Sequence, residues 1–169
     1  MRRNQSGITL IELVVLLVVL ALLGAAIFPQ LGNLLNVMKS KGASEEVAGA
    51  TILARQYAIA RGTHHCIRFT GSPPITSYII LLTTNPLDCP DVVANRVEGP
   101  STISQGAAVV NLDPTPAGGN IIVFSPVGDV TNFTAGNPAV TAGVDTSPAS
   151  CLSSVLVTLY GGIRVSRNC

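Results

Sequence analysis

The sequence has no tryptophan, and aromatic residues make up only 4% of its 169 positions. With 16 glycines and 11 prolines, a body so poor in rings points to short strands and many loops. Charge is scarce too. Asp, Glu, Lys and Arg total 11%, and the net charge of +1 includes Arg2 and Arg3. No strong attraction to nucleic acid or to an acidic surface follows from that balance, so any such binding is local. The four cysteines, Cys66, Cys89, Cys151 and Cys169, form no C-x-x-C pair, which argues against zinc and thioredoxin-type chemistry. No G-x-S-x-G, H-E-x-x-H or P-loop run occurs, and no nucleophile, base and orienting acid combine. The chain therefore reads as a non-enzyme without a cofactor.

The most informative absence is of charge between Arg3 and Lys39, where Glu12 stands alone. From Leu13 to Phe28 no residue is polar, and a helix starting at Ile8 has about 21 residues, enough to cross a hydrocarbon core. A carboxylate near one end of such a segment costs a few kcal/mol unless it finds a partner, so Glu12 is a functional residue by default. Three readings compete. A secretory signal would use Arg2 and Arg3 as its basic region and be cut at Gly24-Ala25-Ala26. A plain membrane anchor would keep its basic flank in the cytoplasm. Neither explains Glu12.

The third reading is a resemblance. Gly7-Ile8-Thr9-Leu10-Ile11-Glu12 resembles the processing site of type IV prepilins and type II secretion pseudopilins. The resemblance implies a leader peptide, residues 1–7, cut off after Gly7 by a prepilin peptidase, with N-methylation of Ile8. It also implies a single-pass inner-membrane chain with a cytoplasmic N-terminus. Through an assembly platform in that membrane the chain would enter a cell-surface pilus or a periplasmic pseudopilus with other pilin subunits. Glu12 would then set register between subunits: the new amino group at Ile8 of a neighbour is the cation that a buried carboxylate needs. Pro29 matches a proline that pilins often carry at this depth. With Gly24 it suggests a kink or melted turn, or else simply the point where the membrane segment, 8–29, ends.

Residues 30–62 remain helix-compatible. Leu31, Leu34, Leu35 and Met38 form an apolar stripe, Lys39-Ser40-Lys41-Gly42 interrupts it, and Val47, Ala50, Ala54, Tyr57 and Ala58 resume it. Ser44 is positioned to cap a restarted helix and Arg61-Gly62 to end it, and one long helix with a weak point at Gly42 is the expected form. The remainder, 63–169, reads as antiparallel strands: Cys66 to Phe69, Tyr78 to Thr83, Val92 to Val97, Ala107 to Leu112, Ile121 to Phe124, and Leu152 to Tyr160 turning at Gly161-Gly162 into Ile163 to Val165. Thr131 to Ser150 lacks periodicity and reads as an exposed loop. The fold class is α+β, a long hydrophobic N-terminal helix packed on a C-terminal antiparallel sheet.

An even cysteine count behind an export-type segment suggests disulfides. Cys66 with Cys89, and Cys151 with Cys169, close the modest loops; buried free thiols are the alternative. His64-His65-Cys66 is a poor metal site, because adjacent strand residues point to opposite faces. Three runs narrow the resemblance: ARQYAIARG from Ala54 to Gly62, FSPVGDVTN from Phe124 to Asn132, and GGIRV from Gly161 to Val165 are similar to segments of GspH/FimT-type minor pilins. Some FimT-like pilins are thought to bind DNA for uptake through a basic C-terminal patch. The resemblance thus offers a second function, DNA binding through Arg164 and Arg167 with Arg68 or Arg96 nearby.

Overall fold

The computed structural model describes the backbone at residues 9–71, 75–103, 107–113, 115, 119–133, 139–146 and 152–168. Side chains are described at all of these except 25–31, 33, 36, 107–111, 139, 140, 144–146, 152, 167 and 168. Helix α1 spans Leu10–Arg61. It continues through Gly24 and Pro29 without a melted turn, and past Gly42 as the one long helix expected. Each interruption removes or weakens one hydrogen bond, and the flanking turns carry the helix across it. The chain divides into two compact units, Met1–Leu35 and Asn36–Cys169.

Within the second unit, α1 buries a face of small residues: Ala43, Val47, Ala50, Ala54 and Ala58 are at most 6% exposed. Ser44, expected as a cap, lies inside the helix and donates to the Lys41 carbonyl at 2.9 Å. Thr51 likewise donates to the Val47 carbonyl at 2.7 Å. Hydroxyls satisfied within their own helix can join a buried face without stranding a polar atom. Small side chains in turn let strands approach the helix closely.

Eight strands follow: β1 His65–Thr70, β2 Ser77–Leu82, β3 Arg96–Thr102, β4 Ala107–Asp113, β5 Ile121–Phe124, β6 Ala139–Thr146, β7 Leu152–Thr158 and β8 Ile163–Asn168. They form two antiparallel sheets, β3-β2-β1-β5 and β4-β6-β7-β8. One core joins α1 to Ile67, Phe69, Ile80, Ile122 and Phe124 of the first sheet and to Leu112, Ala142, Val155 and Val157 of the second. Two expectations are corrected. The stretch 131–150 is not one loop, since it contains β6, whose Ala139, Ala142, Gly143 and Asp145 have little strand preference but which is paired with β4 on one side and β7 on the other. The third strand begins at Arg96 rather than Val92, because Val93–Asn95 forms a 3-10 turn. Its Gly99-Pro100 is tolerated because β3 is an edge strand.

The opposite face of the first sheet has its own apolar cluster of Cys66, Ile79, Leu81, Cys89, Ile121 and Val123. Cys66 and Cys89 form the expected disulfide, with Cα atoms 6.2 Å apart, which ties the β2–β3 connection to β1. The second expected pair, Cys151 with Cys169, lies outside the described residues. Leu152, which pairs with Asn168, is the neighbour of Cys151, and Asn168 that of Cys169.

The three runs quoted above meet at one junction. Arg55 of α1 donates from Nε to the Gly128 carbonyl at 2.8 Å. Gly161, at φ +74°, lies so close that a Cβ there would overlap both that carbonyl oxygen and the Arg55 Nε. A Cβ at Gly128, at φ +89°, would fall 2.7 Å from Ile59 Cδ1. Beside this contact the Val130 N–H donates to the Leu159 carbonyl at 2.9 Å, linking the turn after β5 to the β7–β8 hairpin. Asn132 closes the run by covering the open edge of β5: its Oδ1 accepts from the Val123 N–H and its Nδ2 donates to the Ile121 carbonyl, each at 2.9 Å.

His65 is fully buried at the start of β1, its ring stacked on Tyr57 with centroids 5.9 Å apart. Nδ1 faces the Thr63 carbonyl at 3.1 Å, which favours the tautomer protonated there. Nε2 has no partner. A second proton would therefore be a buried orphan, close to the Arg61 guanidinium that lies 4.9 Å from the Tyr57 centroid. Burial pushes the His65 pKa below its ordinary 6.5; the Thr63 carbonyl opposes this and the Arg61 charge adds to it.

Two outcomes are expected in urea unfolding of the full chain in mild detergent. Gly161→Ala costs about 3 kcal/mol, from left-handed backbone and overlap together, whereas Gly119→Ala, at φ +87° but with nothing within 4 Å, costs about 1 kcal/mol. Equal losses would remove the close-packing argument. For His65 the unfolded chain takes up its proton near pH 6.5 and the folded chain only at lower pH. Its contribution is thus complete above pH 6.5 and is lost as pH falls from there toward the folded value, by at most about 1.4 kcal/mol per pH unit. His65→Phe flattens the stability profile between pH 6.5 and 5.5; an unchanged slope would assign the loss to other groups.

Candidate assembly surface

The first turn of α1 forms around the Thr9 carbonyl, which accepts from the Glu12 N–H at 3.1 Å and the Leu13 N–H at 3.2 Å. Glu12 therefore lies in the first turn of the helix, where a negative charge complements the exposed amides. Its neighbours at helical spacing, Ile11, Val15, Leu16 and Val19, form with it a shallow and mostly apolar groove. Every large side chain from Leu10 to Leu23 is about half exposed or more, from 48% at Val14 and Val19 to 82% at Leu10. Burying one such side chain is worth about 1.5–3 kcal/mol. A helix carrying so many of them in water is far from its lowest free energy, so lipid or other helices are its natural surroundings.

Gly7 and Ile8 lie outside the described residues, as does the side chain of Pro29. Among the described residues no helix is long and apolar enough to cross a membrane. The expected span, 8–29, extends at both ends past Leu10–Gly24, the stretch whose side chains are described.

The remaining candidates disperse. Arg164 is exposed on the edge strand β8, and Arg167 occupies a position of opposite parity on the same strand. Arg68 and Arg96 belong to the other sheet, on β1 and β3. Arg96 is held in a two-pronged ion pair by Asp91, at 2.9 Å from Nη2 to Oδ1 and 3.1 Å to Oδ2. Of His64-His65-Cys66, the cysteine is in the disulfide and His65 is against Tyr57, so that run does not converge on an ion. Sequence reasoning quoted the run containing Arg55 without isolating the residue. Its only signal was the order of the three runs.

Residues 2–28 match the family described as the prokaryotic N-terminal methylation motif. No curated protein matches the chain in sequence. Among solved structures, the fold is similar to the type IV minor pilin FimU of Pseudomonas aeruginosa, at 12% identity and a TM-score of 0.57, covering 75% of this chain and 87% of FimU. It is also similar to the minor pseudopilin EpsH from the type 2 secretion system of Vibrio cholerae, at 13% identity and a TM-score of 0.51, covering 76% and 97%. The N-terminal segment thus matches the methylation-motif family, and the fold is similar to that of a type IV minor pilin and a minor pseudopilin.

Proposed function

We propose that the chain is a structural subunit, a minor pilin or pseudopilin, of a type IV pilus or a type II secretion pseudopilus. The observation that carries this reading is the exposed apolar segment from Leu10 to Leu23, bearing Glu12 as its one charge, inside the stretch that matches the methylation motif. Prepilin peptidase cuts after Gly7, Ile8 is N-methylated, and the helix waits in the inner membrane until the assembly platform transfers it among the helices of other subunits. There Glu12 leaves water and lipid headgroups, and the amine of a neighbouring Ile8 compensates it. A misplaced subunit would bury the carboxylate without its cation, so the pair selects register rather than adding bulk adhesion. Pro29 belongs to the same helix, near the end of the apolar segment. A second disulfide, Cys151 with Cys169, closes the open end of the β7–β8 hairpin.

The DNA-binding alternative rests on Arg164 and Arg167 alone. Two cations give weak binding that modest salt abolishes, and no convergence of the other arginines supports it.

The test is Glu12→Ala in the cell that assembles the filament. Breaking one side of a buried charge pair costs about 3–5 kcal/mol, so the variant's share of sheared filaments falls at least about tenfold. Its membrane-bound pool stays at the wild-type level, because the substitution only makes the helix more apolar. Incorporation equal to wild type overturns the role of Glu12.

A further inference from the structure

The outer face of the first sheet carries a feature that assembly through α1 does not use. Cys66, Arg68 and Thr70 alternate along β1 on that face, beneath the connection held by the disulfide. Arg68 is only partly exposed, and its Nη1 donates to the Cys89 carbonyl at 2.6 Å. That contact fixes the guanidinium against the stapled connection. Among the described residues it is the only polar partner of Arg68, and no carboxylate comes within 4 Å of it. Asp91, the acid that lines the same cleft, has both oxygens engaged by Arg96. Arg68 opens onto a cleft of about 290 Å³, lined also by Thr70, Gly71, Asp91 and Asn120.

A partly desolvated guanidinium without a counter-charge is costly, and its remaining N–H donors form a planar fork. The two charged residues lining the cleft are Arg68 and Asp91, and Asp91 is already met by Arg96 from outside it, so Arg68 is the one lining charge left to a ligand, which suits a monoanion better than a dianion. The side-chain amide of Asn120 can supply a further donor at the cleft wall. We propose that this cleft binds a carboxylate, presented either by a small organic acid or by an acidic side chain of a neighbouring protein. The fork pairs with both carboxylate oxygens. The disulfide holds one wall of the cleft in place before the ligand arrives, which lowers the ordering cost of binding. The proposal is independent of the assembly reading, since it uses neither α1 nor Glu12.

The experiment is an NMR titration of the full chain in detergent micelles with sodium acetate, following the Thr70 backbone amide and the Asn120 side-chain amide. Saturable shifts with a Kd on the order of millimolar are expected. Arg68→Gln abolishes them. Arg68→Lys, which keeps the charge and the donor to Cys89 but loses the fork, weakens binding about tenfold. Asn120→Ala, which leaves the bond between Arg68 and Cys89 in place, weakens it about threefold and guards against a trivial loss of folding in the arginine variants. An end-blocked Gly-Glu-Gly peptide that binds more tightly than acetate assigns the carboxylate to a protein partner, and equal affinity assigns it to a free acid. Absence of saturation, shifts that survive in Arg68→Gln, or tighter binding of inorganic phosphate than of acetate would each overturn the proposal.

Discussion

The contact between Arg55 and the Gly128 carbonyl is the constraint around which the globular unit is arranged. It fixes the last turns of α1 against the turn that follows β5. Gly161 brings the β7–β8 hairpin against the same carbonyl, at a separation no side chain would permit. One helix, one strand of the first sheet and one hairpin of the second thus share a single point of closest approach. Registers propagate from it: Val130 bridges Phe124, and β7 pairs with β8 without a shift from Leu152 to Val157. The alanine face of α1 can then lie close to both sheets, which is how a chain with so few aromatic residues closes a core.

The other end of the same helix obeys the opposite rule. The large apolar side chains from Leu10 to Leu23 are about half exposed or more, and the only charge there is a carboxylate in the first turn. An apolar surface gains free energy from almost any cover, so alone it selects neither partner nor register. The carboxylate supplies selectivity, because it tolerates only a cover that brings a cation or good donors. Under the proposed assembly, stability is concentrated in the body and selectivity in one residue of the helix.

How much of this was legible in the sequence depended on the kind of signal each element left. Glu12 was legible because one charge in an apolar run is conspicuous against its surroundings. Strand β5 emerged with its observed bounds, Ile121–Phe124, because Gly119 and Asn120 before it and Pro126 after it punctuate a β-branched run. Gly161-Gly162 was readable as a hairpin for a related reason, since glycine there meets a positive φ. Strand β6 was not readable because Ala139, Ala142, Gly143 and Asp145 interrupt its Val and Thr residues, and pairing on both sides carries it across them. The long helix was legible through its weak point at Gly42, but Ser44 looked like a cap because its hydroxyl suits one, and inside the helix it bonds to the Lys41 carbonyl instead. Arg55 and the Arg68 cleft were invisible for a single reason. The partners of both arginines are backbone carbonyls, at Gly128 and Cys89, and a carbonyl leaves no mark on a sequence.

The central claim is that Glu12 has a partner only after the chain is cut. The most direct measurement is therefore the N-terminal mass of the mature protein isolated from its own membrane or filament. The account predicts a chain beginning at Ile8 and heavier by one methyl group. A chain beginning at Met1, or at Ile27 after cleavage beyond Ala26, would contradict it.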